Sequence, residues 1–277
     1  MLPAKFEEPP GFQWGNFTSA DGMQIRYGVL KRDIPPPKGT VVIAPGFREP
    51  IEKYFETARE MADRGFAVWI IDWPGQGGSE RFLKNDPQKM YNKGYDGYLD
   101  TLHQFATTVV SKSAGPFVLT GHSMGAHISL RYLKEHAGVF DSAILTAAML
   151  NIATGMLPRP VARQMAHFAK AFGYLEKYIP GGGIWTKKRE EFKGNRKTSD
   201  PERFKILGEL YEEKPDLRMG DPTYGWLYHT LQSVDILNDE SYLKSIKTPI
   251  LMEISGDEAI VDKGAEERAS RLLPNCT

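Results

Sequence analysis

Five short apolar segments, separated by stretches with helical periodicity, limit this chain to few folds. Each segment is unbroken and partly β-branched, as expected of strands buried on both faces of a sheet. They cover residues 40–44, 66–71, 116–120, 142–147 and 249–254. Helix-forming stretches lie between or after them, at 53–64, 95–113, 124–136 and 263–273. The sequence therefore predicts an α/β fold with a mostly parallel central sheet flanked by crossover helices.

Two further parts of the chain have patterns of their own. Residues 11–19 and 23–30 flank an Asp-Gly turn sequence and are typical of a β-hairpin. Residues 150–235 contain helical pieces punctuated by prolines and a triple glycine, with no clear strand. We therefore assign 1–149 and 236–277 to one core, without its last strand and helix, and 150–235 to an inserted helical cap.

Composition excludes several classes of function. The 35 basic and 35 acidic residues balance, and 41% of residues are apolar, so no overall field favours nucleic acid. The single cysteine, Cys276, rules out an internal disulfide and favours a reducing compartment, so a cytoplasmic location is expected. No segment has the length of a membrane span or the pattern of a signal peptide.

The segment Gly121-His122-Ser123-Met124-Gly125 matches the nucleophile-elbow pattern G-x-S-x-G. An apolar strand leads into it and a helix-forming stretch leads out, which is the context that lifts a serine hydroxyl above a sheet. Gly121 and Gly125 are required because the turn is strained and because helix and strand approach closely. Ser123 is therefore the candidate nucleophile. The alternative is an ordinary glycine-rich turn with a surface serine.

Two backbone amides are candidates for an oxyanion hole. Met124 follows the serine at a helix N-terminus, and Phe47 lies in the loop after the first parallel strand, where Gly46 permits a tight bend. Asp257 follows the last apolar run through a Ser-Gly turn, which predicts a carboxylate at the same sheet edge as Ser123. The alternatives are a simple Pro-Gly turn at 45–46, an Asx-turn or N-cap role for Asp257, and Glu258 or Asp262 as the acid.

These motifs resemble, in order, those of the monoacylglycerol lipase and bacterial lysophospholipase branch of the α/β-hydrolases. The resemblance covers roughly residues 20 to 275 and rests on Pro45-Gly46-Phe47, the stretch from Asp72 to Ser79, the elbow, and Ser255-Gly256-Asp257. It implies an α/β-hydrolase fold and a lipid-like carboxylic ester as substrate, a lysophospholipid or a monoacylglycerol first. It also implies Ser123 as nucleophile, Met124 and Phe47 as oxyanion donors, and Asp257 as the acid.

This chain departs from the family pattern in two places. The family often has His-Gly where this chain has Pro45-Gly46. The catalytic histidine should follow Asp257, yet all six histidines precede it: His103, His122, His127, His136, His167 and His229. We expect that these residues lack a C-terminal segment of about 30–50 residues, which would supply one more strand and the histidine. A substitute base from the cap, His167 or His229, is the alternative.

Two features of the cap bear on the substrate. Val161, Met165, Phe168, Phe172 and Leu175 recur at helical spacing, and we expect Met165, Phe168 and Phe172 to line an acyl-chain pocket; packing on the core is the alternative. The basic segment 187–197 is a candidate for a phosphate headgroup or for transient contact with an anionic membrane surface, or else is a solvated face.

No residue cluster has metal-ligand spacing and no nucleotide-binding loop is present, so neither a metal nor a cofactor is expected. The sequence thus favours a serine esterase. A non-catalytic binding protein on the same scaffold and an aminopeptidase-type α/β-hydrolase are the alternatives.

Overall fold

The computed structural model describes residues 3–31, 36–152, 158–257 and 260–277. Its strands are β1 Gln13–Thr18, β2 Gln24–Leu30, β3 Thr40–Ala44, β4 Ala67–Ile71, β5 Phe117–His122, β6 Ser142–Thr146 and β7 Ile250–Glu253. They form one sheet in the order β1-β2-β4-β3-β5-β6-β7. Strands β3 to β7 run parallel, which confirms the interpretation of the five apolar segments.

The predicted hairpin is confirmed as β1 and β2, which pair antiparallel with each other and add to the edge of β4. The turn is closed by a hydrogen bond of 2.9 Å from Ser19 N–H to the Met23 carbonyl oxygen. Of the predicted Asp-Gly pair, only Gly22 adopts a positive φ, of 85°.

The sheet is flanked by helices α1 Phe55–Asp63, α2 Asp96–Gln104, α3 Met124–Glu135 and α8 Lys263–Leu272, and the insertion between β6 and β7 holds α4 Arg159–Ala171, α5 Pro201–Glu213, α6 Tyr224–Leu237 and α7 Glu240–Lys244. Gly65 follows α1 with φ 95°, the left-handed conformation that glycine commonly adopts after a helix. The stretch predicted as one helix at 95–113 is irregular after α2, since it continues as a π turn over Phe105–Val109 and a 3₁₀ turn. In the described ranges, no helix is long and apolar enough to cross a membrane.

The parallel strands are apolar throughout because both faces of the sheet are covered. Val42 and Ala44 of β3 pack into a core that includes residues of α2, α3 and α8, whereas Val41 and Ile43 pack on α1. Helix α6 of the insertion contributes Trp226 to the first core. The insertion therefore shares packing with the sheet, and the predicted boundaries at 150 and 235 stay a prediction.

The chain changes direction across the sheet at β3, since β4 lies on one side of it and β5 on the other. The carboxyl ends of β3 and β5 are direct neighbours, with Ala44 paired to Gly121. Open α/β sheets form a crevice at such a point, because the connections that follow the two strands diverge. The loop after β3 and the serine turn after β5 therefore face the same crevice.

Residues 275–277 lie parallel to β7 at the far edge of the sheet. Ile250 N–H donates to the Asn275 carbonyl oxygen, Thr277 N–H to Ile250, and Met252 N–H to Thr277, each at 2.9 Å. These residues occupy the position in which the sequence predicted a further strand.

We expect Gly125→Ala to destabilise the protein by about 3 kcal/mol, since an added Cβ would lie 1.9 Å from the Ala44 carbonyl oxygen and 2.5 Å from that of Pro45. Gly97→Ala is the matched control. It has nothing within 4 Å in helix α2 and should stabilise by up to about 1 kcal/mol. Urea unfolding measures both, and equal effects would contradict the close approach of loop and helix.

Candidate active site

Ser123 has a strained backbone, with φ 52° and ψ −113°, between β5 and α3. Hydrogen bonds hold this turn: its N–H donates to Thr146 O at 3.0 Å, and its carbonyl accepts from His127 and Met149 N–H groups, each at 3.1 Å. The Ser123 hydroxyl makes no hydrogen bond within the part of the chain that the structure describes. A half-buried hydroxyl in this position is available to a ligand.

The elbow glycines lie where helix α3 meets β5 and the loop after β3. A Cβ on Gly121 would lie 2.7 Å from Ser129 Oγ and 2.8 Å from Ala126 Cα. One on Gly125 would overlap the carbonyl oxygens of the loop. Only glycine permits this approach, and it brings the Ala44–Pro45 backbone against the helix N-terminus.

Three non-glycine residues with positive φ are found among the described residues: Arg48 at 63°, Ser123 at 52° and Ala147 at 46°. Each follows the carboxyl end of a parallel strand, β3, β5 or β6. Such conformations cost about 1–3 kcal/mol each and persist only where the surroundings hold them. Strain is therefore concentrated at the sheet edge that carries Ser123.

In the loop after β3, the amides on either side of Phe47 are hydrogen-bonded within the protein. Gly46 N–H donates to Glu49 Oε2 at 3.0 Å, and Arg48 N–H donates to Gln76 Oε1 at 2.6 Å. Between them, Phe47 N–H has no acceptor among the described residues, and the same holds for Met124 N–H at the start of α3. The Phe47 ring packs on Trp226 with centroids 4.5 Å apart, which joins the loop to α6.

Glu49, which the sequence analysis missed, holds this loop. Its carboxylate accepts from Tyr54 Oη at 2.5 Å and from Lys53 Nζ, and His122 Nε2 lies 3.8 Å away. Burial opposes the charge, but Lys53 and His122 outweigh it and lower the pKa of Glu49 to about 2. The group is therefore an anion that fixes the Gly46 amide.

The glycine-rich stretch 72–79 supports the same loop through a buried ion network. Asp72 accepts from Arg26 Nε at 2.6 Å, from Gly78 N–H at 2.8 Å and from Ile51 N–H at 3.0 Å. Arg26 also binds both Glu52 oxygens, at 2.9 and 2.8 Å. Burial opposes the charge of Arg26, but Asp72 and Glu52 raise its pKa above the ordinary value.

Asp257 is exposed and lies beyond the end of β7 at Glu253. His122 pairs with Thr146, and Thr146 pairs with Glu253, so the ends of β5, β6 and β7 are level at one edge. Asp257 makes no hydrogen bond with another described residue, and its role as the acid stays a prediction. The alternative of an N-cap is wrong, because Asp262 caps α8.

Asp262 and Glu258 are the alternative acids near this turn. Asp262 accepts from Ala265 N–H at 3.1 Å and from Asn151 Nδ2 at 2.9 Å, so its carboxylate is engaged at the start of α8. Glu258 lies outside the described residues. Asp257 is therefore the candidate whose carboxylate is described and has no hydrogen bond to another described residue.

His127, one helical turn beyond Ser123, is a buried structural residue. Its Nδ1–H donates to the Met149 carbonyl oxygen at 2.8 Å, and its Nε2 accepts from Ser233 Oγ at 2.7 Å. Burial lowers the pKa of His127 to about 3. The imidazole is therefore neutral and occupied at both nitrogens, so it is not available as the base.

The remaining histidines also have partners other than Ser123. His122 Nδ1 lies 2.8 Å from Thr146 Oγ1. His103 and His136 stack with centroids 4.1 Å apart, and His167 and His229 both pack on the Tyr228 ring. Within the described ranges, none of the six hydrogen-bonds the Ser123 side chain.

The apolar residues that recur at helical spacing between 161 and 175 lie on and just after α4, away from its packed face. Phe168 is 64% exposed and Phe172 is 67% exposed, while Met165 is half-buried. The buried face of α4 consists instead of Ala162, Ala166 and Ala169, whose small side chains allow close packing on another helix. The alternative that the large apolar residues pack on the core is therefore wrong, and their role in binding an acyl chain stays a prediction.

The basic segment lines a surface cleft of about 280 Å³, which includes Lys188, Lys193, Arg196 and Lys197. Among the described residues, no group of three or more histidine, cysteine, aspartate or glutamate side chains is arranged to hold a metal ion.

The parallel sheet, the strained serine turn and the loop packed against it define an α/β-hydrolase. The family model described as serine aminopeptidase, S33 matches residues 35–276, and the chain belongs to this family. Lysophospholipase L2 of Escherichia coli (strain K12) is 33% identical over 263 residues, which are 92% of this chain and 74% of that protein. Monoacylglycerol lipase of Mycolicibacterium smegmatis is 26% identical over 170 residues, which are 60% of this chain and 55% of that protein.

Solved structures show the same fold at low sequence identity. A soluble variant of monoglyceride lipase from Saccharomyces cerevisiae, in complex with a substrate analog, has a TM-score of 0.74 and 18% identity, covering 100% of this chain and 87% of that one. A thermostable carboxyl esterase from Bacillus coagulans has a TM-score of 0.72 and 20% identity, covering 96% of this chain and 86% of that one.

Because the pKa of His127 is about 3 when folded and about 6.5 when unfolded, the unfolded state binds more protons between these values. Stability should therefore fall below pH 6.5, by up to about 1.4 kcal/mol per pH unit from this residue alone. Urea unfolding at pH 7, 6 and 5 should show a smaller slope in His127→Gln and an unchanged slope in the exposed control His167→Gln. A slope that survives in His127→Gln would place the proton uptake elsewhere.

Proposed function

We propose that this protein is a serine-dependent carboxylic ester hydrolase that acts on a lipid-like ester, a lysophospholipid or a monoacylglycerol. The observation that carries the proposal is the Ser123 hydroxyl on its strained turn, which has no hydrogen-bond partner among the described residues. It lies beside a loop in which the Phe47 amide also lacks an acceptor among these residues. A reactive oxygen and candidate donors for a developing oxyanion at one sheet edge favour acyl transfer.

In the proposed reaction, a base removes the Ser123 hydroxyl proton as Oγ attacks the ester carbonyl carbon. The negative charge on the carbonyl oxygen is stabilised by the N–H groups of Phe47 and Met124, each worth about 10²–10³ in rate. The C–O bond to the alcohol then breaks, and the alcohol leaves with the proton from the base. Water attacks the acyl-enzyme in a second round, which releases the fatty acid and restores Ser123.

The base in this proposal is a histidine oriented by Asp257. Support for this orientation comes from the position of Asp257 beyond β7, whose end is level with the ends of β5 and β6. His167 and His229 of the cap are the alternative source, and both contact Tyr228 rather than the elbow. Reading the codons after Thr277 distinguishes these: a histidine after an apolar strand favours the first.

The substrate class is inferred from the similarity to lysophospholipase L2 and to monoacylglycerol lipase. The name of the matched family, serine aminopeptidase, keeps a peptidase as the second candidate. A non-catalytic binding protein is the third, since no histidine among the described residues hydrogen-bonds the Ser123 side chain. A cytoplasmic location, supported by the single Cys276, is part of the proposal.

We also propose that the cap touches the lipid surface that holds the substrate. Phe168, Phe172 and Tyr174 form an exposed aromatic row on and after α4, with ring centroids 6.4 and 6.5 Å apart. Lys177 Nζ lies 4.0 Å from the Tyr174 ring centroid. Apolar rings beside a cation are suited to a bilayer with anionic headgroups.

We expect Ser123→Ala to abolish hydrolysis of p-nitrophenyl esters, a loss of at least about 10³-fold, and to abolish labelling by a fluorophosphonate probe. The protein for this test is expressed from the complete reading frame. Amino-acid anilides should remain uncleaved by the unmodified protein; their cleavage in preference to esters would favour the peptidase. Labelling that persists in the alanine variant would remove Ser123 as the nucleophile, and absence of all turnover would favour the binding protein.

Phe168→Ser combined with Phe172→Ser should weaken binding to vesicles of phosphatidylglycerol and phosphatidylcholine by at least about tenfold, because each ring contributes about 1.5–3 kcal/mol when it leaves water. Ile236→Ser, at a 37% exposed position on α6, is the control and should bind as the unmodified protein does. Vesicle co-sedimentation measures both, and equal binding by all three proteins would exclude this contact.

A further inference from the structure

Two buried donors close to Phe47 have no acceptor among the described residues. The Gln76 residue is 1% exposed and the Arg48 side chain is 18% exposed. Because a backbone N–H only donates, the Gln76 atom that faces Arg48 N–H is the oxygen, which leaves Nε2 for another partner. Within the described residues, neither Gln76 Nε2 nor Arg48 Nε has a hydrogen-bond partner. Buried donors without acceptors are uncommon and point to a ligand that supplies oxygen atoms.

The charge of Arg48 is only partly matched inside the protein. A guanidinium carries five N–H donors. Among the described residues, Arg48 makes one ion pair, from Nη1 to Asp221 Oδ1 at 3.3 Å. The other Asp221 oxygen, Oδ2, accepts from Gly183 N–H at 2.9 Å. Asp221 therefore orients one nitrogen of the guanidinium and leaves others for a second anion.

Arg48 is also held rigidly in place. Its φ of 63° is maintained on both sides, since its N–H donates to Gln76 and its carbonyl oxygen accepts from Tyr211 Oη at 3.1 Å. The residue before it, Phe47, is the proposed oxyanion donor. A pre-organised cation beside that amide loses little freedom when it binds a substrate.

We propose that Arg48 and Gln76 form a subsite for the phosphodiester group of a lysophospholipid, which rests on the proposed function. In a 1-acyl lysophospholipid, about six covalent bonds, a span of about 7 Å, separate the acyl carbon from the phosphorus atom. Arg48 directly follows Phe47, so the length of its side chain is comparable to the distance between the acyl carbon held at the Phe47 amide and the phosphorus atom. Guanidinium and carboxamide N–H groups match phosphate oxygens in number and geometry. A monoacylglycerol has no such group, so this subsite selects the lysophospholipid.

Equilibrium binding of two ether lipids tests the proposal without requiring turnover. The probes are a short-chain ether lysophosphatidylcholine and the alkylglycerol of equal chain length, both below their micellar concentrations, followed by tryptophan fluorescence. The variants are Arg48→Met, which removes the cation, and Gln76→Glu, which keeps an oxygen acceptor for Arg48 N–H but replaces the orphan donor with a charge. Arg64→Met, at the residue that follows α1 and with a 61% exposed side chain, is the control.

The unmodified protein should bind the phospholipid analogue at least about tenfold more tightly than the alkylglycerol, and both site variants should reduce this ratio by about tenfold or more. The control should leave it unchanged. Thermal melting of each variant shows whether it is folded. A ratio that stays the same in both folded variants overturns the subsite. Competition by inorganic phosphate at the same affinity would identify free phosphate as the ligand and overturn the lipid assignment.

Failure of the subsite and failure of the proposed function are separable. Ether lipids cannot be hydrolysed, so the binding ratio does not depend on the base or on Ser123. A protein that hydrolyses esters but shows no change in the ratio retains the function and loses the subsite. One that binds with the expected ratio but never hydrolyses an ester loses the function.

Discussion

The close approach of the Ala44–Pro45 backbone to helix α3 is the constraint on which the rest of the site depends. It is possible only because residue 125 has no Cβ, which would lie 1.9 Å from a carbonyl oxygen. The contact sets the loop after β3 against the serine turn, at the point where the strand order of the sheet reverses. Ser123 keeps its positive φ because Thr146, His127 and Met149 bond its backbone on both sides. The strain is thus supported by β6 and α3 rather than by the turn itself.

The second requirement is that the loop after β3 stay in one conformation without regular structure. Polar side chains meet this requirement. Glu49 accepts from the Gly46 amide, and Gln76 accepts from the Arg48 amide. Gln76 belongs to the stretch that Asp72 and Arg26 stabilise. Each of these bonds lies where little water penetrates, so loss of one partner would leave a buried group unsatisfied. Together they leave the Phe47 amide available. The Phe47 ring of the same loop packs on Trp226 of α6, so the insertion is in direct contact with the site.

Much of the fold was predictable from the sequence because its signals are local. Unbroken apolar runs identified β3 to β7, and the glycines of the elbow identified the turn. What was missed depends on contacts between distant residues: Arg26 meets Asp72 across 46 positions, and Gln76 meets Arg48 across 28. Packing of the large apolar residues of α4 on the core, the alternative, was wrong because three alanines form the packed face. Asp262 rather than Asp257 caps α8, a distinction that depends on where the helix begins.

The most direct test of this account is a crystal structure of the protein after reaction with a short alkyl fluorophosphonate. The expected result is a bond from Ser123 Oγ to phosphorus, with the phosphonyl oxygen about 2.7–3.1 Å from both Phe47 N and Met124 N. An adduct on another residue would contradict the account, and so would a phosphonyl oxygen directed away from the two amides.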